Sequence, residues 1–228
     1  MVSAQELRIM TYNIRTGSRW ARVDGGDQAA GRTWSQRRSA VAKSITIAKA
    51  NVVGTQEGLT WQIEELVQAL GPSWTFVGGG RHGDGSDEDE TAAVLYDASQ
   101  LRYLSHVDFW LSETPDKSST SWGAALPRVA TLVSFRDFDV LNVHLDHASV
   151  QARTESAKLL LRRLPARPLF LTGDFNAPKD EAYYATLTTE LDDAWRLADV
   201  VSCGSCPQGT FHNWKGAAVP TPQWIEPY

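Results

Sequence analysis

The sequence is poor in cysteine, with Cys203 and Cys206 alone among 228 residues. One C-x-x-C pair lacks the second ligand pair of a structural zinc site. Pro207 follows directly and favours a loop over the helix that opens a thioredoxin-like redox unit. We interpret the pair as two loop thiols that can form a disulfide under oxidising conditions.

Long apolar runs and an excess of positive charge are also missing. No stretch approaches the length of a transmembrane helix, which predicts a protein without a membrane span. No basic patch precedes an apolar core at the N-terminus, which favours a cytoplasmic location, although a mature exported protein would look the same. The net charge of -5 argues against a nucleic-acid packaging role. An enzyme acting on phosphate esters remains open, because a metal ion supplies positive charge locally.

What the sequence does contain is a succession of strand and helix patterns. Helical spacing of apolar residues predicts helices at 33–50, 60–70 and 151–164, and short helical turns around 180–198. The predicted strands are 7–14, 51–57, 74–79, 92–97, 101–111, 128–135, 139–145 and 168–174. Hairpin-like strand pairs with intervening helices predict an α/β fold, a four-layer sandwich of two mixed β-sheets flanked by helices. No repeat or low-complexity linker interrupts it, so we expect one domain over residues 1–228.

The helix predicted at 33–50 has two different faces. Val41, Ile45 and Ala48 recur at helical spacing and are expected to face the core. The opposite face is predicted to be solvated and carries Arg37, Arg38, Lys43 and Lys49.

Four of the predicted strands finish on polar side chains. These residues are Asn13, Glu57, His144, Asp174 and Asn176. The carboxyl edge of a central strand is where open α/β folds place their chemistry. Asp174 and Asn176 are two residues apart on a strand end, so strand alternation predicts that they point the same way. Hard divalent cations prefer carboxylate and carbonyl oxygens, and a histidine near a phosphate can donate a hydrogen bond or a proton.

Each of these residues also has a purely structural explanation. Asn13 could cap a turn, Glu57 could be a surface charge, and His144 could be a hydrogen-bonded core histidine. Asp146 and His147, just after the 139–145 strand, could be ordinary loop residues. All of these explanations together would require several unrelated coincidences, which favours a metal or phosphate site.

Five ordered segments resemble the endonuclease/exonuclease/phosphatase superfamily. They are MTYNIR, GTQE, ALPRVATLVSF, LNVHLDH and LTGDFNAP. The segments FWLSETPD (109–116) and GRHGDG (80–85) are most similar to small bacterial members related to the deadenylase branch. The resemblance implies a deoxyribonuclease-I-like fold. It also implies a metal-dependent phosphoric ester hydrolase, above all a phosphodiesterase or nuclease.

The resemblance implies a role for each matching residue. Glu57 would be the main ligand of a Mg²⁺ or Mn²⁺ ion, with Asn13 its neighbour in holding the hydrated ion. Asp174 would orient the attacking water, Asn176 would contact the phosphate, and His144 would hydrogen-bond a phosphate oxygen. The residues implied in binding substrate and supporting the site are Arg81, His82, Glu90, Arg128 and His147.

The C-terminal residues depart from the family pattern. Members continue after a GTFH-like segment with an Arg-Ile-Asp-Trp/Tyr strand and close with Ser-Asp-His. GTFH is present at 209–212, but QWI at 223–225 stands where the strand is expected, and the sequence has no Ser-Asp-His. Three alternatives follow: a truncated or frame-shifted member without the closing strands, a variant that recruits another histidine such as His212, or a non-catalytic relative that binds metal and phosphorylated ligands. The first is favoured, because residues 213–228 lack family motif and periodicity.

The sequence leaves the substrate open within one chemical class. The expected partner is a phosphate ester, with nucleic acid, nucleotide, sugar phosphate and phospholipid head group all candidates. The acidic charge argues mildly against tight binding of long duplexes. We expect a monomer.

Overall fold

The computed structural model describes residues 6–17 and 27–198. Its strands form two four-stranded sheets. The first contains β1 (Ile9–Asn13), β2 (Val52–Gln56), β3 (Trp74–Val77) and β4 (Val94–Asp97), in the order β1-β2-β4-β3. The second contains β5 (Tyr103–Trp110), β6 (Val129–Phe135), β7 (Asp139–His144) and β8 (Leu169–Asp174), in chain order. Cys203, Cys206, His212 and the segment 213–228 lie outside the described residues.

Each sheet combines one parallel pair with antiparallel pairs. β1 and β2 run parallel, and so do β7 and β8, whereas the other neighbours are antiparallel. A hydrogen bond of 3.3 Å from Thr11 Oγ1 to the carbonyl of Gly173 joins β1 to β8 across the sandwich. The two parallel pairs therefore bring four carboxyl strand ends to one edge of the molecule.

Helices cover the outer face of each sheet. α1 (Trp34–Ala48) and α2 (Thr60–Leu70) pack on the first sheet, and α3 (Val150–Arg162) and α4 (Ala182–Leu187) on the second. A short helix, α5 (Ala194–Leu197), follows them. Strand alternation separates the layers, because Val53 packs against the helices while its neighbour Val52 packs against the other sheet. The predicted four-layer α/β sandwich is confirmed.

Several element ends differ from the sequence prediction. The predicted strand at 92–97 begins at Val94, and the predicted helix at 151–164 runs from Val150 to Arg162. Val41 and Ile45 of α1 are buried as expected, but Ala48 is exposed. Within the two described ranges, no helix is long and apolar enough to cross a membrane.

The interface between the two sheets is apolar at one end and polar at the other. Val52, Val94, Val133 and Val140 belong to one buried cluster between the sheets. Further towards the carboxyl strand ends, Asn142 takes the inward position and is fully buried. The apolar end supplies burial, whereas the polar end requires matched hydrogen bonds.

The Asn142 carboxamide of the second sheet uses all its hydrogen-bonding capacity. Its Nδ2 donates to the carbonyls of Thr55 at 2.7 Å and Ala93 at 3.1 Å. Its Oδ1 accepts from Gln56 Nε2 at 2.8 Å and from Thr172 Oγ1 at 3.0 Å. Both N–H donors and both acceptor positions of the carboxamide are thus satisfied. Three of these four hydrogen bonds come from Thr55 and Gln56 of the first sheet and from Ala93, just before β4.

We expect the substitution Asn142→Leu to lower the free energy of unfolding by about 3 kcal/mol, because it removes four hydrogen bonds between buried polar groups of the two sheets. Urea unfolding followed by circular dichroism measures the change. Ser105→Leu, at an exposed position of β5, is the matched control and should change stability by about 0.5 kcal/mol or less. An Asn142→Leu protein as stable as the control would contradict a stabilising role for this carboxamide.

Asp97, at the end of β4, links stability to pH. Burial works to raise the pKa of its carboxyl, but hydrogen bonds from Ser99, Ser73 and Gln100 outweigh burial and hold the pKa below its usual value. The stabilisation is therefore complete above the unfolded-state pKa of about 3.9 and is lost as the pH falls through the lower folded-state pKa.

We expect Asp97→Asn to lower the free energy of unfolding at pH 7 by about 1 kcal/mol and to flatten its decline below about pH 4. Urea unfolding at a series of pH values measures both effects. Parallel acid profiles for parent and variant would show that Asp97 does not contribute. Asp137→Asn, at an exposed surface pair, is the control and should leave the profile unchanged.

Candidate functional site

Three potential ligand groups converge where the carboxyl strand ends meet. Glu57 follows β2, His144 ends β7, and Asp174 ends β8. One ligand atom from each of the three lies within 4.8 Å of the others. The His144 and Asp174 side chains are mostly buried but keep 12% and 25% of their surface exposed, so the cluster remains accessible at the edge of the sandwich. The structure thus brings together the predicted metal ligand, water-orienting residue and phosphate-contacting histidine.

Asn13, at the end of β1, lies between the two carboxylates. Its Nδ2 donates to Glu57 Oε1 and to Asp174 Oδ2, both at 2.8 Å. Its Oδ1 accepts from the backbone N–H of Arg15 at 2.9 Å. The carboxamide therefore presents its amino group to the cluster and fixes the separation of the two carboxylates. A direct Oδ1 ligand to a metal would require rotation of this amide.

Glu57 leaves the strand through a left-handed backbone conformation, with φ at 62°. This conformation is unfavourable for a non-glycine residue and persists where the surroundings over-determine it. The surroundings here are two hydrogen bonds to its carboxylate, from Asn13 and from the backbone N–H of Thr16 at 3.2 Å. The side chain consequently points along the strand edge towards the cluster.

Asn176 reaches the site by a turn. β8 ends at Asp174, and Asn176 adopts a left-handed φ of 51° with its N–H donating to Asp174 Oδ1 at 2.9 Å. Asp174 and Asn176 are therefore not related by the strand alternation that the sequence predicted, although both side chains reach the site. Asn176 Nδ2 donates to His144 Nε2 at 2.8 Å and to the carbonyl of Leu145 at 2.9 Å.

His144 is held as a neutral imidazole. Burial lowers its pKa well below the usual value, and the positive charges of Arg128 and Arg81 lower it further. Nε2 accepts from Asn176, so the ring proton lies on Nδ1. Nε2 is 4.0 Å from Asp174 Oδ2. The ring thus presents a lone pair, rather than a positive charge, to the cluster.

The donor set fits a hard divalent cation. Glu57 and Asp174 supply carboxylate oxygens, which Mg²⁺ and Mn²⁺ prefer, and the His144 Nε2 becomes available to an ion only when Asn176 releases it. The two carboxylates share one amide donor and repel each other, so a cation between them would offset that repulsion.

A recess beside His144 is lined by Arg81, Glu90 and Arg128. Arg81 Nη1 donates to Glu90 Oε2 at 2.6 Å. Burial raises the pKa of Glu90, while the charge of Arg81 works in the opposite direction. Glu90 therefore lines the recess as predicted for the cleft, and it does so as the partner of Arg81 in a largely buried ion pair.

Arg128 connects the recess to the loop after β7. It forms an ion pair of 3.5 Å with Asp146 and donates from Nη2 to His147 Nδ1 at 2.8 Å. Burial lowers the pKa of the Arg128 guanidinium, which the neighbouring Asp146 charge partly opposes. His147 and Asp146 thus act on the site through Arg128. His82, in contrast, does not line the recess; its half-exposed ring lies 2.7 Å from Asp89.

Arg37 is a site residue that the sequence pattern missed. Instead of facing solvent, it donates to the carbonyls of Ile14, Arg15 and Thr16. Burial lowers its pKa to about 10. It thereby fixes the segment after β1, whose N–H groups bind Asn13 and Glu57. Helical spacing alone cannot reveal this role, because the carbonyls come from a different part of the chain.

Comparison with solved structures identifies relatives at more than 30% identity, of which two illustrate the similarity. The mannosyl-6-phosphatase Bt3783 of Bacteroides thetaiotaomicron VPI-5482 is 34% identical, with a TM-score of 0.73, over 81% of this chain and 71% of that one. A functionally unknown conserved protein from Enterococcus faecalis V583 is 31% identical, with a TM-score of 0.72, over 84% of this chain and 75% of that one.

A more distant comparison supports the fold alone. The human nocturnin catalytic domain, solved with bound sulfate, has a TM-score of 0.60 at 16% identity, over 81% of this chain and 70% of that one. No curated protein sequence matches the chain at a significant level. The sequence pattern of the Endonuclease/Exonuclease/phosphatase family matches residues 10–225. The chain therefore belongs to the Endonuclease/Exonuclease/phosphatase family.

Proposed function

We propose that the chain is a divalent-metal-dependent phosphoesterase that hydrolyses a P–O ester bond by in-line attack of water. The observation that carries this proposal is the approach of Glu57, His144 and Asp174 to within 4.8 Å of one another at the carboxyl strand ends. Family membership supports it, because members are hydrolases that act on phosphate esters.

The proposed roles follow from the hydrogen bonds of the site. Glu57 and Asp174 would hold Mg²⁺ or Mn²⁺, and Asn13 would keep their carboxylates at the separation that the ion needs. The bound ion would polarise a phosphoryl oxygen and stabilise charge on the leaving group. Asp174 would also orient the attacking water. The attacking water gives up a proton and its oxygen forms the new bond to phosphorus. The P–O ester bond breaks, and the ester oxygen leaves with its electron pair and takes up a proton.

Asn176 and His144 would contact the phosphate. In the structure they bind each other, with Asn176 Nδ2 donating to His144 Nε2. An incoming phosphate oxygen is a stronger acceptor than a neutral imidazole, so it would draw the Asn176 amide to itself. The negative charge of the bound phosphate would raise the pKa of His144 again, so that Nε2 would take up a proton and donate to a second phosphate oxygen.

The substrate class has two candidates. The sequence resemblance favours a phosphodiester, as in a nuclease. The 34% identity to a mannosyl-6-phosphatase instead supports the phosphomonoester of a sugar. The net charge of -5 also disfavours long nucleic-acid duplexes as substrates.

A second candidate function is a relative that binds metal and phosphorylated ligands without turnover. The observation that favours it is that Asn176 and His144 bind each other in the structure, which occupies both groups proposed to contact the phosphate. Calorimetric titration distinguishes the two functions, because binding of metal and nucleotide with no product formed would support this candidate and contradict hydrolysis.

We expect Mn²⁺ binding to be weakened by about 10- to 100-fold or more in Glu57→Gln and Asp174→Asn, because each removes one carboxylate from the candidate metal site. Isothermal titration calorimetry, or the electron paramagnetic resonance signal of free Mn²⁺, measures the affinity. Asp137→Asn, at an exposed ion pair with Arg136, is the matched control and should bind as the parent does. Parent-like binding by both site variants would show that the metal lies elsewhere.

Hydrolysis should depend on the same two carboxylates. With Mg²⁺ or Mn²⁺ present, Glu57→Ala and Asp174→Ala are expected to lower kcat/KM by about 10²–10⁴-fold, the usual effect of removing one such catalytic group. Release of p-nitrophenol from mono- and diester substrates measures the rate, and addition of EDTA should abolish it. Hydrolysis at the parent rate by either variant would mean that the site is assigned wrongly.

A further inference from the structure

The segment 14–17, which follows β1, turns successive backbone N–H groups towards the candidate site. The N–H of Arg15 donates to Asn13 Oδ1 at 2.9 Å, and the N–H of Thr16 donates to Glu57 Oε2 at 3.2 Å. Arg15 adopts a left-handed φ of 57°, and consecutive N–H groups around such a residue form a concave surface that binds anions. The Glu57 carboxylate occupies this surface, so the position of the segment determines where the carboxylate points.

The carbonyl groups of the same segment are held by Arg37 of α1. Its Nη1 donates to the carbonyl of Ile14, and its Nη2 donates to the carbonyls of Arg15 at 2.6 Å and Thr16 at 3.2 Å. Its Nε donates to the carbonyl of Arg32 at 3.2 Å. All three guanidinium nitrogens are thus used, in a planar arrangement of donors that the single ammonium group of a lysine cannot reproduce.

Gln62 of α2 holds the segment from a second helix. Its side chain is fully buried, with Nε2 donating to the carbonyl of Arg15 at 3.2 Å and Oε1 accepting from the N–H of Gly17 at 2.6 Å. A Cβ atom on Gly17 would lie only 2.9 Å from Gln62 Cδ, so the segment and this side chain are in close contact. The two helices that cover the first sheet therefore fix the segment, and the segment in turn orients Glu57.

We propose that Arg37 and Gln62 are positioning residues that set the metal affinity of the candidate site through segment 14–17 and Glu57. The inference rests on the proposed metal-dependent function and extends it to two helix residues whose hydrogen bonds go to the segment. A carboxylate that is already oriented binds an ion without the entropic cost of being ordered. Loss of a partner that orients a metal ligand typically weakens metal binding by about 10- to 100-fold.

Mn²⁺ binding to the full chain tests this role, measured by isothermal titration calorimetry and by the electron paramagnetic resonance signal of free Mn²⁺. Arg37→Lys keeps the positive charge but loses the planar set of donors, and Gln62→Met keeps the side-chain length but loses both hydrogen bonds. Each should weaken binding by about 10- to 100-fold. Arg38→Lys is the matched control and should bind as the parent does, because Arg38 lies on the same helix but pairs with Glu65 at 2.7 Å, with both side chains 39% exposed.

The number of ions bound distinguishes positioning from a general loss of structure. A partly unfolded variant would bind fewer Mn²⁺ ions at the parental affinity, whereas loss of positioning lowers the affinity and leaves the stoichiometry unchanged. Thermal unfolding gives a temperature at which each variant is fully folded, and either folded variant is sufficient for the test. Parental affinity in the folded variants would overturn the inference while leaving the metal site intact. Absence of Mn²⁺ binding by the parent would overturn both.

Kinetics separate this inference from the proposed function. In Arg37→Lys the Mn²⁺ concentration that gives half-maximal hydrolysis should rise by about 10- to 100-fold, and saturating Mn²⁺ should restore kcat to within about 3-fold of the parent value. A loss of kcat that added Mn²⁺ does not restore would reject the positioning role and leave the phosphoesterase function intact. Weakened Mn²⁺ binding by the variants, with no hydrolysis by the parent, would instead support the inference and reject the phosphoesterase function.

Discussion

The carboxamide of Asn142 is the interaction on which the geometry of the site depends. The candidate ligands come from two different sheets, so their distances are set by how the sheets are held against each other. Apolar contacts alone allow sheets to slide with little loss, because burial is non-directional. Four hydrogen bonds on one buried carboxamide do not allow this, since a shift would break directional bonds between buried polar groups. Gln56, one of its partners, directly precedes Glu57.

A second level of organisation lies at the cluster itself. The left-handed turn at Glu57 and the turn at Asn176 move both side chains out of strand alternation and towards a common point. Asn13 then joins the Glu57 and Asp174 carboxylates, which would otherwise repel each other. The site thus combines unfavourable backbone conformations with like charges, and hydrogen bonds hold both in place. Such local strain is typical of functional sites.

Sequence reasoning identified the four-layer fold and the strand-end residues that the structure brings together. Both follow from local signals, namely apolar periodicity and the polar residues that end it. Features that depend on contacts between distant parts of the chain could not be predicted from the sequence. Arg37 resembles a solvated helix residue until its carbonyl partners are known, and the ion pair of Arg81 with Glu90 exists only once the fold is assembled. The sequence does not reveal the turn at Asn176. A strand that continued past Asp174 would also point the Asn176 side chain towards the site.

The close packing around Gly54 has a consequence for how the protein can change over evolutionary time. A Cβ atom at this position of β2 would lie 2.2 Å from Thr172 Oγ1 and 2.5 Å from Asn142 Oδ1. A larger residue at position 54 would therefore displace the two side chains that join the sheets. Positions 54, 142 and 172 come from three strands but share one small volume. A single substitution at position 54 therefore requires Thr172 and Asn142 to shift, which links variation at this position to the two side chains that join the sheets.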